Sequence, residues 1–254
     1  MPSLPLISKG LGPGRLRLAR LGLWRRLAVP ALLLALAGCA TAADDPSSGA
    51  LDRIVAAEAT GAEQNGDYAT AARHYAALYQ TNRSDLTVIE GLARNLRHGG
   101  ELENARALLE EALGRLGPQG RLLLEKGKAE ISQGKAELAV PTLQAAVQAA
   151  PGEWEPPATL AIALDRLGRF DEAATQYRAA LARNAADNAD IYNNFALSRA
   201  LAGRLDEAKS LLRTAAALPN ASSRVRGNLA FLETLQRQLP AAPVRIVVPA
   251  PELR

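Results

Sequence analysis

Glycines at positions 66, 100, 134, 168 and 203 mark off the middle of the chain in steps of 34, 34, 34 and 35 residues. Chance does not hold one glycine at such a spacing, so this part of the chain is built of repeated units. Other residues keep the same register. Five residues after each glycine stands an alanine: Ala71, Ala105, Ala139, Ala173 and Ala208. Four further on stands a large apolar residue (Tyr75, Leu109, Leu143, Tyr177, Leu212), and three beyond it Leu78, Ala112, Ala146, Ala180 and Ala215. Steps of four and three put these side chains on one face of a helix. Alanine and leucine dominate and β-branched residues are sparse, so the chain reads as all-helical. Each unit then holds two helices. The glycine ends the first, where the backbone needs a positive φ. The small residues let the helices approach closely, and the large ones fill the space beside them. Asp171-Glu172 and Asp206-Glu207 place negative charge at the start of the second helix, which its dipole favours.

The pattern resembles the tetratricopeptide repeat, whose period is 34 residues. Its clearest copy runs Leu160-Ala161, Leu164, Gly168, Phe170, Ala173, Tyr177 and Ala180. The resemblance implies an all-α, right-handed α-solenoid of about five helix-turn-helix repeats over residues 52–222. The first repeat is degenerate: Glu58, Ala59 and Ala62 stand where large residues are usual. Pro141, early in a second helix, is expected to kink it or cost a hydrogen bond, whereas Pro156-Pro157 open a first helix, where proline is tolerated. Residues 223–238 read as a capping helix, which a solenoid needs to cover its last apolar face. The repeat domain is thus expected over residues 52–238. The tail, residues 239–254, carries four prolines that exclude a helix. Its residues 244–248 read either as a short strand suited to a partner's sheet edge or, more plainly, as part of an unstructured tail.

The N-terminus has a different logic. Lys9, Arg15, Arg17, Arg20, Arg25 and Arg26 precede an uncharged run, residues 27–38, that ends at Cys39, the one cysteine of the chain. A basic region, an apolar run and then small residues is the order of a secretory signal. About a dozen apolar residues fall short of the ~20 that span a bilayer as a helix. Leu36-Ala37-Gly38-Cys39 resembles a bacterial lipobox. That resemblance implies removal of residues 1–38, acylation of the Cys39 thiol, and anchorage to a membrane through lipid. The competing reading is an uncleaved N-terminal helix. Ala40 after the cysteine, by the same resemblance, favours the outer membrane, with the chain facing the periplasm. Residues 39–51 read as a small, polar, proline-containing tether.

Those six residues account for the basic balance. Without them, 24 of the 30 basic residues stand against 26 acids from Cys39 onward, a net of −2. A near-neutral body with 4% aromatic residues has neither the charge nor the stacking platforms for nucleic acid. One cysteine makes no internal disulfide, and two histidines, His74 and His98, are too few for most metal sites. No nucleophile sits beside a positioned base and no phosphate-cradling glycine loop occurs. We therefore expect no enzyme, no cofactor and no metal.

In tetratricopeptide arrays the first helices of the repeats line a concave groove that binds protein segments. By that analogy the groove candidates are Arg94, Arg97, Lys128, Asp165, Arg166, Asn193, Asn194 and Leu197. Asn193-Asn194 stand out, because an amide offers a peptide backbone both donor and acceptor. A lysine, asparagine and arginine clamp for a terminal carboxylate is not reproduced. The lipobox, the segment "GEWEPPATLAIALDRLGRFDEAATQYRAAL" and the run through Ala215-Ala216-Ala217-Leu218-Pro219, Arg224-Val225-Arg226 and Asn228-Leu229-Ala230 are similar to the TadD lipoproteins of tight-adherence (Flp) pilus loci. That resemblance implies an outer-membrane scaffold whose partner is a secretin or another pilus-assembly subunit, acting in the manner of a pilotin. A scaffold regulating a peptidoglycan or polysaccharide enzyme is the alternative that the residues leave open.

Overall fold

The computed structural model describes residues 46–238. Among them are eleven α-helices and no strand: α1 Pro46–Gln64, α2 Tyr68–Thr81, α3 Leu86–His98, α4 Leu102–Leu116, α5 Gly120–Ser132, α6 Ala136–Ala149, α7 Glu155–Arg166, α8 Phe170–Ala180, α9 Ala189–Leu201, α10 Leu205–Ala217 and α11 Ser223–Gln238. Each helix packs on the next along the chain. The odd-numbered helices from α3 onward also touch the next odd-numbered helix. The array is an α-solenoid of five helix pairs closed by α11.

The register read from the sequence is a register of burial. The alanines at 71, 105, 139, 173 and 208 have no exposed surface, and Tyr75, Leu109, Leu143, Tyr177 and Leu212 are buried beside them. Gly66, Gly100, Gly134, Gly168 and Gly203 all have φ between 70° and 84°. At each turn two backbone bonds close the first helix. At Gly168 they run from its own amide to the Asp165 carbonyl, 3.0 Å, and from the Arg169 amide to the Leu164 carbonyl, 3.0 Å. A side chain at that φ would strain the turn by ~1–2 kcal/mol.

The fourth interval is one residue longer than the others, and the fold shows where the extra residue goes. After α8 the chain makes one π-helical turn, Leu181–Ala185. A π turn holds one more residue than the α turn it replaces. The surplus is absorbed there, and α9 enters in register.

One expectation changes, and for Pro141 the hydrogen-bond cost is the one of its two expected outcomes that occurs. The helical array begins at Pro46, so residues 46–51 belong to α1 and not to a tether reaching residue 51. Proline fits a first helical turn, where its missing N–H has no partner to lose. At Pro141, α6 runs on from Ala136 to Ala149. The proline is exposed, as is Glu137, whose carbonyl loses its donor. Cys39, the signal-like segment and the tail after Gln238 lie outside the described residues. Among the described residues no helix is long and apolar enough to cross a membrane.

Candidate functional site

The odd-numbered helices present a continuous face, and its side chains sort by position along the array. Six residues before each turn glycine stand Thr60, Arg94, Lys128, Ile162 and Leu197; the same register reaches Phe231 in α11. Two residues before each glycine stand Gln64, His98, Ser132, Arg166 and Leu201, and Leu235 continues the row. Both rows run from polar to apolar. The face has a charged half on α1, α3 and α5 and an apolar half toward α9 and α11.

The charged half is occupied by its own partners. Arg94 of α3 hydrogen-bonds Glu63 of α1 and Glu90 of its own helix. Burial pushes the Glu63 carboxyl up, but hydrogen bonds from Arg94 and Asn95, with the Arg94 charge, together hold the group below its ordinary value. Arg97 reaches across to buried Glu125 of α5, 3.2 Å. Lys128 lies 2.8 Å from Glu125 and 2.7 Å from Glu155 of α7. His98 stacks on Tyr68, ring centroids 4.8 Å apart, and burial and then Arg97 push its pKa down. These charges fasten one repeat to the next.

Asp165 of α7 is also committed. It accepts hydrogen bonds from Ser198 of α9 and from Tyr177, the latter at 2.9 Å. Burial dominates and raises its pKa; those two bonds and the charge of Arg199 offset only part of that. The expectation for Asn193 is corrected. Its residue is 1% exposed, and its amide oxygen accepts from Asn228 of α11 at 2.8 Å. Its amide joins two helices and is not presented to a partner. Asn194 is half-buried, with its oxygen 3.4 Å from the Asn193 amide nitrogen. Arg166 is exposed, and among the described residues its one bond is the 3.4 Å one to the Ile131 carbonyl. Leu197 is 42% exposed.

Leu197 has neighbours that sequence reasoning did not single out. Leu201, one turn on, is 60% exposed, and Phe231 of α11 is 69% exposed. Asp190 meets Arg224 at 2.8 Å and Asn193 meets Asn228 at 2.8 Å, offsets of 34 and 35 residues between parallel helices. The 34-residue offset makes Leu197 and Phe231 equivalent positions of α9 and α11. Carrying the repeat register through the capping helix would have found this pair. Burying three such side chains is worth ~1.5–3 kcal/mol each, so water is a poor neighbour for them.

The family model for the tetratricopeptide repeat matches residues 56–121, 91–153 and 159–222. The chain belongs to the tetratricopeptide-repeat family. Solved structures agree on the fold. The thermophilic tetratricopeptide-repeat protein TTC0263 of Thermus thermophilus aligns at a TM-score of 0.63 and 19% identity, covering 72% of this chain and 99% of that one. YrrB, described as a TPR protein with an unusual peptide-binding site, aligns at 0.51 and 19% identity, covering 72% and 90%. MamA from Desulfovibrio magneticus RS-1 aligns at 0.51 and 16% identity, covering 73% and 96%. No curated protein sequence matches the chain. Tetratricopeptide-repeat proteins are typically non-enzymatic scaffolds that bind other proteins, and this chain has the family's helix pairs, turn glycines and first-helix face.

Proposed function

We propose that this tetratricopeptide-repeat protein is a non-enzymatic scaffold that takes a segment of another protein on the apolar half of its first-helix face. The observation that carries the reading is the exposed set Leu197, Leu201 and Phe231, on two parallel helices held in register by the hydrogen bond between Asn193 and Asn228. Apolar anchors ringed by polar groups are the usual source of binding energy at a protein interface. Arg166, Asn194 and Arg224 supply such a rim. The charged half contributes rigidity, because its arginines and lysine already have carboxylate partners.

The lipobox-like Leu36-Ala37-Gly38-Cys39 supports a lipid anchor at Cys39 and placement in the outer membrane, facing the periplasm. Together with the TadD-like segments it supports a role in assembling a tight-adherence pilus secretion system, with the secretin or another assembly subunit as partner in a pilotin-like arrangement. Tethering to the membrane would raise the local concentration of that partner without any new contact. Crosslinked pull-down of the protein from native membranes, read by mass spectrometry, tests this. A secretin or pilus-assembly subunit is expected, and its recovery should fall when Cys39→Ser releases the protein from the membrane. Recovery of peptidoglycan or polysaccharide enzymes with no secretin would replace the pilus reading and leave the fold unchanged.

A further inference from the structure

Both α4 and α6 pack on α5, and between them lies a cavity of about 480 Å³ whose wall includes Lys126 and Glu130 of α5. At the Lys126 position the second, fourth and fifth repeats carry Leu92, Leu160 and Phe195; at the Glu130 position the second and fourth carry Leu96 and Leu164. The third repeat has exchanged an apolar pair for a charged one at this cavity. Glu130 is 2% exposed, and its second carboxylate oxygen has no hydrogen-bond partner among the described residues. Gln133, three residues on, repeats the pattern: neither its amide nitrogen nor its amide oxygen has a partner there. It lines a neighbouring cavity of about 420 Å³, and Lys135 borders both. Residues three apart share a helix face, so Glu130 and Gln133 form a row along α5. We infer that this cleft is a second binding site, separate from the first-helix face, and that it takes an extended segment of another protein by its backbone amides.

The groups left spare decide the ligand's chemistry. The cations of the cleft are taken: Arg106 bonds Glu103 and Glu110, Lys135 bonds Glu103, and Lys126 bonds Glu130 and Thr142. An anionic ligand therefore finds them already neutralised. What remains is acceptors. One is the second oxygen of Glu130. Another is the Glu137 carbonyl, which loses its helical donor to Pro141, itself part of the cavity wall. The ligand must bring N–H donors. A cationic donor would meet Arg106, Lys126 and Lys135 together, whereas a neutral amide meets no such repulsion. Extended backbone presents amides on one side about 7 Å apart, and its carbonyls suit the Gln133 amide nitrogen. Leu138, 56% exposed, and Pro141 give the segment's side chains an apolar contact. Glu130 is costly without a ligand because its oxygen is unpaired, and a bound amide removes that cost in a site where hydrogen bonds are strong.

A phage library of random peptides, panned on the immobilised full chain carrying Cys39→Ser, tests this. Peptides are expected whose affinity falls about tenfold or more in Glu130→Leu and also in Leu138→Ser, a change at an exposed position. The same peptides should bind the double variant Leu197→Ser, Phe231→Ser as they bind wild type. Thermal unfolding of both cleft variants shows that they are folded. For each such peptide, N-methylation of one backbone nitrogen should cost about tenfold on wild type and almost nothing on Glu130→Leu, which identifies the N–H that Glu130 accepts. The inference is overturned if panning yields no peptide that separates Glu130→Leu from wild type. It is also overturned if the loss follows replacement of a lysine or arginine of the peptide and not N-methylation, which would make the ligand a cation. The two binding readings fail separately. Peptides that depend on Phe231 and ignore Glu130 leave the first-helix face as the binding surface and remove the cleft; peptides that depend on Glu130 and ignore Phe231 establish the cleft by itself.

Discussion

Ala173 shows what one position contributes. It has no exposed surface, and its counterparts in the other four repeats have none either. A larger side chain there must push α7 and α8 apart, so Ala173→Leu is expected to destabilise by ~1–3 kcal/mol, read as a lower urea midpoint with unchanged slope. Asp165 makes a prediction of the opposite kind, one about pH. Its folded pKa is raised above the ordinary carboxylate value, so the folded state holds the proton more tightly than the unfolded state. Its contribution to stability is full below the ordinary value of 3.8 and is lost as pH rises through the folded pKa. Asp165→Asn removes this titration. The stability difference between variant and wild type, followed by urea unfolding from about pH 3 to 7, should move in favour of the variant as pH rises. A flat difference would show that Asp165 is not the group titrating. Positions of the first kind were legible in the sequence because glycine φ and alanine burial are local needs repeated five times. Asn193 was not legible. Its role depends on Asn228, 35 residues away on another helix, and sequence spacing does not say which amide meets which.

At the scale of helices, buried charge replaces leucine at one repeated position. Four residues before the turn glycine stand Leu96 and Leu164, but also Glu130 and Arg199. Each of the last two is 2% exposed. Arg199 ties α9 to α8 and α10 through the Phe170 carbonyl, Asp171 and Glu207. Glu130 is less well served. One carboxylate oxygen meets Lys126, and the other is buried without a partner among the described residues. An unpaired buried acceptor costs ~1–3 kcal/mol, and a well-packed leucine already fills this position in two other repeats. Glu130→Leu is therefore expected to be neutral or to stabilise by about 1 kcal/mol in thermal or urea unfolding, whereas most core substitutions destabilise. A loss above ~2 kcal/mol would mean that the Lys126–Glu130 pair within α5 contributes more than the unpartnered oxygen costs. Helix boundaries were legible wherever glycine or proline enforces them. The start of α1 was not, because Pro46-Ser47-Ser48-Gly49 has a linker's composition, and its helical state is set by the helix that follows it.

For the whole molecule, the polarity of the first-helix face decides where a partner goes. The sequence shows that the face exists and names some of its residues, Arg166 and Leu197 among them, but not Leu201 or Phe231. It does not show that Arg94, Arg97 and Lys128 are consumed by Glu63, Glu90, Glu125 and Glu155, because most of those pairs join helices about thirty residues apart. Once they are consumed, the free energy available for binding lies with Leu197, Leu201 and Phe231. The direct test is capture of the pull-down partner by two double variants of the full chain, side by side, with folding checked by thermal unfolding. Leu197→Ser with Phe231→Ser should lose on the order of thirtyfold or more in affinity, as loss of central apolar anchors does. Arg94→Ala with Lys128→Ala should leave affinity within a few fold while lowering the unfolding temperature. If the charge variant abolished capture and the apolar variant bound as wild type does, the binding surface would be the charged half, contradicting the account.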